Sequence, residues 1–105
     1  MKLKQYRQGD VLVERITKSN ITGTEVPREG GRVILAHGEV TGHAHALTES
    51  GVTLRRDSDV TALEITEALA MLTHDEHATI ELPRGVYRVV RQREYSPESI
   101  RSVQD

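Results

Sequence analysis

His43 and His45 stand two residues apart in the stretch Gly38-Glu39-Val40-Thr41-Gly42-His43-Ala44-His45. If this stretch is extended, both imidazoles point to one face, about 7 Å apart at the backbone by the strand rise. On a helix they would splay by about 200°, so a strand is the setting in which they can share an ion. A second pair, His74 and His77, brackets the acidic dipeptide Asp75-Glu76. Four of the chain's five histidines thus fall into ligand-spaced pairs. The expectation is that the two pairs meet around one divalent metal, zinc or iron, held by imidazole nitrogen. The competing reading makes them surface and turn residues, with Asp75 and Glu76 merely solvating a reversal. His37, alone before Gly38, reads as structural or as support for a ligand.

The number of ligands decides the chemistry. Three histidines and a metal-bound water could hydrate or hydrolyse a small electrophile, because the ion lowers the water's pKa towards neutrality. Four histidines would close the site and make it structural. Glu49, Asp75 and Glu76 are candidate ligands or general bases beside such a site, and Tyr87 is a candidate hydrogen-bond donor to substrate. Each has an ordinary alternative, as a solvated acid or a half-buried strand tyrosine. There are no cysteines, which excludes disulfides, thiolate zinc sites, iron–sulfur clusters and cysteine nucleophiles. No phosphate-binding loop, dinucleotide fingerprint or serine elbow is present.

Positioning these side chains falls to a chain of 105 residues, enough for a single domain with one modest core. Apolar residues make up 36% and aromatics 3%, with no Phe or Trp, so the core must come from Val, Leu, Ile and Ala. That composition favours sheet and predicts a thin core, for which a metal or a second copy of the chain would be useful support. The formal charge is −2 with both signs interleaved, which gives no reason to expect nucleic acid or an anionic membrane as the main partner. No segment reads as a signal peptide or membrane span, so a cytoplasmic protein acting on a small molecule is the expectation.

Turn signals recur at the spacing of all-β folds. Strands are predicted at residues 10–16, 32–36, 43–48 and 52–55, with a long loop at 18–31 that includes a short extended piece at Glu25-Val26. Residues 60–73 are rich in helix formers, yet their apolar positions keep no 3.6-residue period. Leu63 and Ile65, then Leu69 and Met71 or Ala70 and Leu72, alternate instead, which predicts two strands joined near Thr66-Glu67. A polar turn is predicted at 74–77, a strand at 78–82, a tight turn at Pro83-Arg84-Gly85 and a long strand at 86–95. Ser96-Pro97-Glu98 has the form of a helix start, predicting a short terminal helix from Pro97 to about Val103. The fold expectation is an all-β small barrel or sandwich of seven to nine strands with that helix at its end.

Gly38, His43, His45 and Glu49 resemble the first motif of the cupin superfamily, in which a glycine precedes a pair of alternating histidines and a glutamate follows. Pro83-Arg84-Gly85 resembles the turn of its second motif. The resemblance covers about half of the chain and departs from the pattern twice: the first glycine is one residue closer to the histidines, and Arg88 stands where the second-motif histidine would fall. It implies a cupin-like barrel, ranks Glu49 first among the carboxylates, admits iron-based oxygen chemistry, and leaves the fourth ligand to His74 or His77. The whole sequence is also similar to small bacterial and phage proteins, which implies no activity. The rival class is a non-enzymatic barrel module presenting Arg84, Arg88, Arg91 and Arg93, with Arg55 and Arg56, to nucleic acid or protein. Alternation does not place all of these on one side, and few aromatics are available for base stacking.

Overall fold

The computed structural model describes residues 4–17, 22–38, 42–58 and 60–91. They form strands β1 (Gln5–Gln8), β2 (Val11–Arg15), β3 (Thr24–Glu25), β4 (Val33–His37), β5 (Ala44–Leu47), β6 (Val52–Asp57), β7 (Val60–His74) and β8 (His77–Arg91). No helix occurs among the described residues, so none is long and apolar enough to cross a membrane. The all-β expectation is borne out. The helix predicted from Pro97 lies outside the described residues.

Every pairing is antiparallel, in the order β1-β2-β8-β7-β5-β4, with β6 on β7 and β3 on β6. The predicted closure into a barrel does not occur, because β1 and β4 end the path without pairing to each other. The sheet is built instead on one long hairpin. Residues 60–65 of β7 lie between β6 and β8, whereas Thr73 near its other end pairs with Ala46 of β5.

Two corrections to the predicted elements follow from how that hairpin bends. Residues 60–74 are a single strand and not two, and the register shifts between Ile65 and Leu69. An irregularity of this kind changes the parity of the inward positions. Leu63 and Ile65 are buried before it and Ala70 and Leu72 after it, which leaves Leu69 and Met71 exposed. Pro83-Arg84-Gly85, predicted as a turn, runs inside β8 opposite this region, with Pro83 across from Leu69 and Gly85 across from Ile65. Proline lacks a ladder donor and is tolerated where the partner strand is irregular. Gly85, at φ +155°, leaves room for the Arg15 guanidinium where a side chain would stand.

The core is aliphatic, as the composition requires. Val11, Val13, Leu47, Leu54, Leu63, Leu72 and Leu82 are fully buried around Tyr87, the largest of the buried side chains. Burying each aliphatic side chain contributes about 1.5–3 kcal/mol, so the core carries the fold although it lacks Phe and Trp.

Candidate functional site

β5 carries Leu47 into the core, and alternation puts His45 on the same face at the end of that core. In β7, Leu72 is buried in the same core and His74 follows two positions on. The tight reversal at Asp75-Glu76 then pairs His74 with His77 across the hairpin. Neither turn residue has a positive φ, so this is not the mirror-image turn usual in two-residue hairpins, and a register shift between Leu72 and His74 accompanies it.

The two histidine pairs do meet. The ring of His45 lies 4.3 Å from that of His74 and 6.0 Å from that of His77, centroid to centroid, and His43 lies 6.1 Å from His74. Glu76 belongs to the same cluster, with a carboxylate oxygen 3.6 Å from His43 Nδ1. Asp75 approaches His43 Nε2 from the other side at 3.9 Å. A cavity of about 280 Å³ opens on His45, His74, His77 and Glu76.

The tripeptide Gln8-Gly9-Asp10, of which the sequence marked only Asp10 as the start of a predicted strand, organises this cavity. Gln8 is buried and donates its amide N–H groups to the carbonyls of Leu72 at 3.0 Å and Ala78 at 2.9 Å. Those two acceptors fix which way the amide faces. Its oxygen therefore accepts from His45 Nδ1–H, at 2.8 Å, and this sets the tautomer of the ring. Nε2 is left to face Asp10 Oδ1, 3.5 Å away. Gly9, at φ +60°, brings the backbone so close to His77 that an added Cβ would lie 2.8 Å from its Nε2. Arg91 completes the wall by donating Nε–H to Asp10 Oδ2 at 3.2 Å and an Nη2–H to the His37 carbonyl at 2.6 Å.

Electrostatics keep His45 neutral at physiological pH. Burial, then the neighbouring His74, outweigh the attraction of Asp10, and with His77 and Arg91 they lower its pKa from the usual 6.5 to about 4. Burial pushes the Asp10 carboxyl up, but the Arg91 hydrogen bond, its own backbone N–H and the charges of Arg91 and His45 hold it below the ordinary range. An imidazole lone pair and a carboxylate oxygen thus face each other with no proton between them.

As they stand, no three or more histidine or carboxylate side chains among the described residues are arranged to hold a metal ion. The rings lie against one another instead of converging, and His74 Nδ1 accepts the backbone N–H of Glu76 at 3.0 Å. That bond leaves the hydrogen of neutral His74 on Nε2 and makes His74 a donor. The donor set nevertheless suits a first-row ion in two respects. His43 Nδ1 is buried without a hydrogen bond, and the His45 Nε2–Asp10 pair lacks a shared positive charge.

The remaining candidates sit elsewhere. Glu49 does not line the cavity; its Oε2 accepts the backbone N–H of Met71 at 3.0 Å. Tyr87 is wholly buried, donates to the Pro83 carbonyl at 2.6 Å, and has its phenol pKa raised by burial. His37 is exposed beside Glu29, at 3.3 Å. Most of the arginines are engaged within the fold: Arg55 donates to the Gly23 carbonyl, Arg84 to that of Thr66, and Arg88 pairs with Glu14, while Arg93 lies outside the described residues.

Fold and site together define a small antiparallel all-β domain with a polar, histidine-lined end to its core. The chain belongs to the family described as a domain of unknown function, DUF8820, whose model matches residues 7–92. The match spans every strand from β2 to β8 and includes Gln8, Asp10, Arg91 and all five histidines. No curated protein and no solved structure matches the chain.

Proposed function

We propose that this protein binds one divalent metal ion, zinc or iron, in the histidine cavity and uses it on a small-molecule substrate. The observation that carries this reading is the orientation of His45 by Gln8, which aims an unprotonated Nε2 at Asp10 Oδ1. A metal-bound imidazole characteristically donates its other N–H to an oxygen acceptor, and Gln8 supplies that acceptor. The 3.5 Å between Nε2 and Oδ1 is also close to the separation of two ligand atoms on one ion, about 3.3–3.4 Å for tetrahedral bonds of ~2.0–2.1 Å.

The proposed protein ligands are His45, Asp10 and His77, which leave one tetrahedral position for water or substrate, with His43 and His74 as neighbouring side chains. A bound ion would supply Lewis acidity for hydration or hydrolysis of a small electrophile. Arg91 holds Asp10 in place, Gly9 gives His77 its room, and Glu76 is the other carboxylate that lines the cavity among the described residues, which makes it the candidate general base. The oxygen chemistry implied by the cupin resemblance would draw on the same side chains with iron, so the identity of the ion separates the two chemistries.

Metal analysis of protein purified without a histidine tag tests the reading. Stoichiometric zinc or iron is expected, and it should be lost when His43 and His45 are both replaced by alanine. Protein that carries no metal, and takes up none when offered, would favour the alternative of a non-enzymatic module that binds protein or nucleic acid.

A further inference from the structure

A second cavity, about 580 Å³, opens between β4 and the ends of β6 and β8. This lies within the roughly 300–1,000 Å³ of small-molecule sites. Val26, Leu35 and Val89 line it and also pack against the hydrophobic core, which supports that wall from behind. Val60 stands on the lining with half of its surface exposed.

The charged groups around this wall differ in their pairing. Arg88 is bound to Glu14 and Arg91 to Asp10, while Glu29, the one lining acid among the described residues, lies against His37. Arg56 donates only its Nε–H, to Thr61 Oγ1 at 3.3 Å, and has no carboxylate partner among the described residues. The carboxylate next to it in sequence, Asp57, is occupied by the hydroxyl of Thr22 at 2.8 Å. An apolar wall therefore ends at a guanidinium whose terminal nitrogens are available. That planar fork matches a carboxylate, to which it can donate two parallel hydrogen bonds.

We propose that this cleft binds a small amphipathic monocarboxylate, its hydrocarbon chain against Leu35 and Val89 and its carboxylate on Arg56. The proposed contacts use none of the histidines of the first cavity, so the site stands whether or not that cavity holds a metal.

The test is a titration of the full chain with hexanoate, followed in ¹H–¹⁵N spectra, as purified and again with chelator present, with hexanol as the uncharged control. Saturable shifts are expected at the amides of Leu35, Val60 and Val89 for hexanoate in both conditions, with hexanol at least about tenfold weaker. Arg56→Gln should weaken hexanoate by about tenfold, the worth of a charged hydrogen bond. Thr61 lies opposite Arg56 on the same face and lines the cleft, so Thr61→Glu should put an acid against the guanidinium and cause a similar loss. Shifts that do not saturate, equal binding of hexanol, or indifference to both substitutions would overturn the proposal, and His45→Ala should leave hexanoate binding unchanged.

Discussion

Two polar hubs tie this sheet together, and they are satisfied in different ways. Arg28 donates to the carbonyls of Gly31, Thr48, Glu49 and Val52, fastening the loop before β4 to the turn between β5 and β6. Its donors meet neutral acceptors, as in a staple. Gln8 also spends its donors on carbonyls, but its oxygen orients a buried imidazole towards a carboxylate across an open cavity. A hub that only holds the fold leaves few donors or acceptors aimed into open space, because each unsatisfied buried group costs about 1–3 kcal/mol. The histidine end accepts that cost at His43 Nδ1 and also aims the lone pair of His45 Nε2 at a carboxylate across a cavity, and that combination is why our proposal places function there.

The contrast is broken most severely by His45→Ala. Zinc affinity, measured by calorimetry on metal-stripped protein, should fall by at least about 100-fold, beyond the ~10–100-fold that loss of a supporting partner costs. Gln8→Leu should fall within that smaller range, because it removes the acceptor that orients His45 and no ligand, and it should also lower stability because the Leu72 and Ala78 carbonyls lose their donors. Arg28→Met should lower stability to urea by about 1–3 kcal/mol while leaving zinc affinity unchanged. If Arg28→Met weakened zinc as much as Gln8→Leu does, the two hubs would not be distinct.

A smaller effect separates backbone from side chain. Gly9→Ala is expected to cost about 1 kcal/mol for its positive φ, with His77 displaced by the added methyl group. The stability of the metal-free protein also depends on pH. In the unfolded chain His45 takes up a proton near the usual 6.5, whereas in the folded protein it does so only near 4. Between these values the unfolded state binds more protons, so stability falls as pH is lowered through that window and no further below it on this group's account. Urea unfolding at pH 7 and pH 4.5 should show this loss, and His45→Gln should reduce it.

Much of this was legible in the chain. The alternation of Val11 and Val13, of Val52 and Leu54, and of Leu63 and Ile65 marks strands whose inward faces are buried. Strand also prevails over helix propensity at 60–73, because residues 60–65 are held between β6 and β8 and residues 69–72 pair with β8, which buries Leu63, Ile65, Ala70 and Leu72. The spacing of the histidines raised the meeting of His45 with His74 and His77 as an expectation, and the ring distances bring them together. What stayed hidden depended on contacts between distant parts of the chain. The parity change in β7 left Ala70 and Leu72 inward, and no local signal chose them over Leu69 and Met71. Gln8 and Asp10 flank a glycine as turn residues commonly do, and nothing local sets Gln8 beside Leu72 or Ala78. Arg91 looks like any other strand arginine until Asp10 is seen beside it. Glu49 suits a ligand by its place after the histidines, yet it serves the backbone of Met71, and its Oε1 is buried without a partner.

The most direct measurement is a long-range ¹H–¹⁵N spectrum of the histidine rings, recorded on metal-stripped protein and again with one equivalent of zinc. Our reading requires His45 to hold its hydrogen on Nδ1 at pH 7, and its Nε2 resonance to move on adding zinc while Nδ1 keeps its hydrogen. A doubly protonated His45 at pH 7, or a His45 indifferent to zinc, would contradict it.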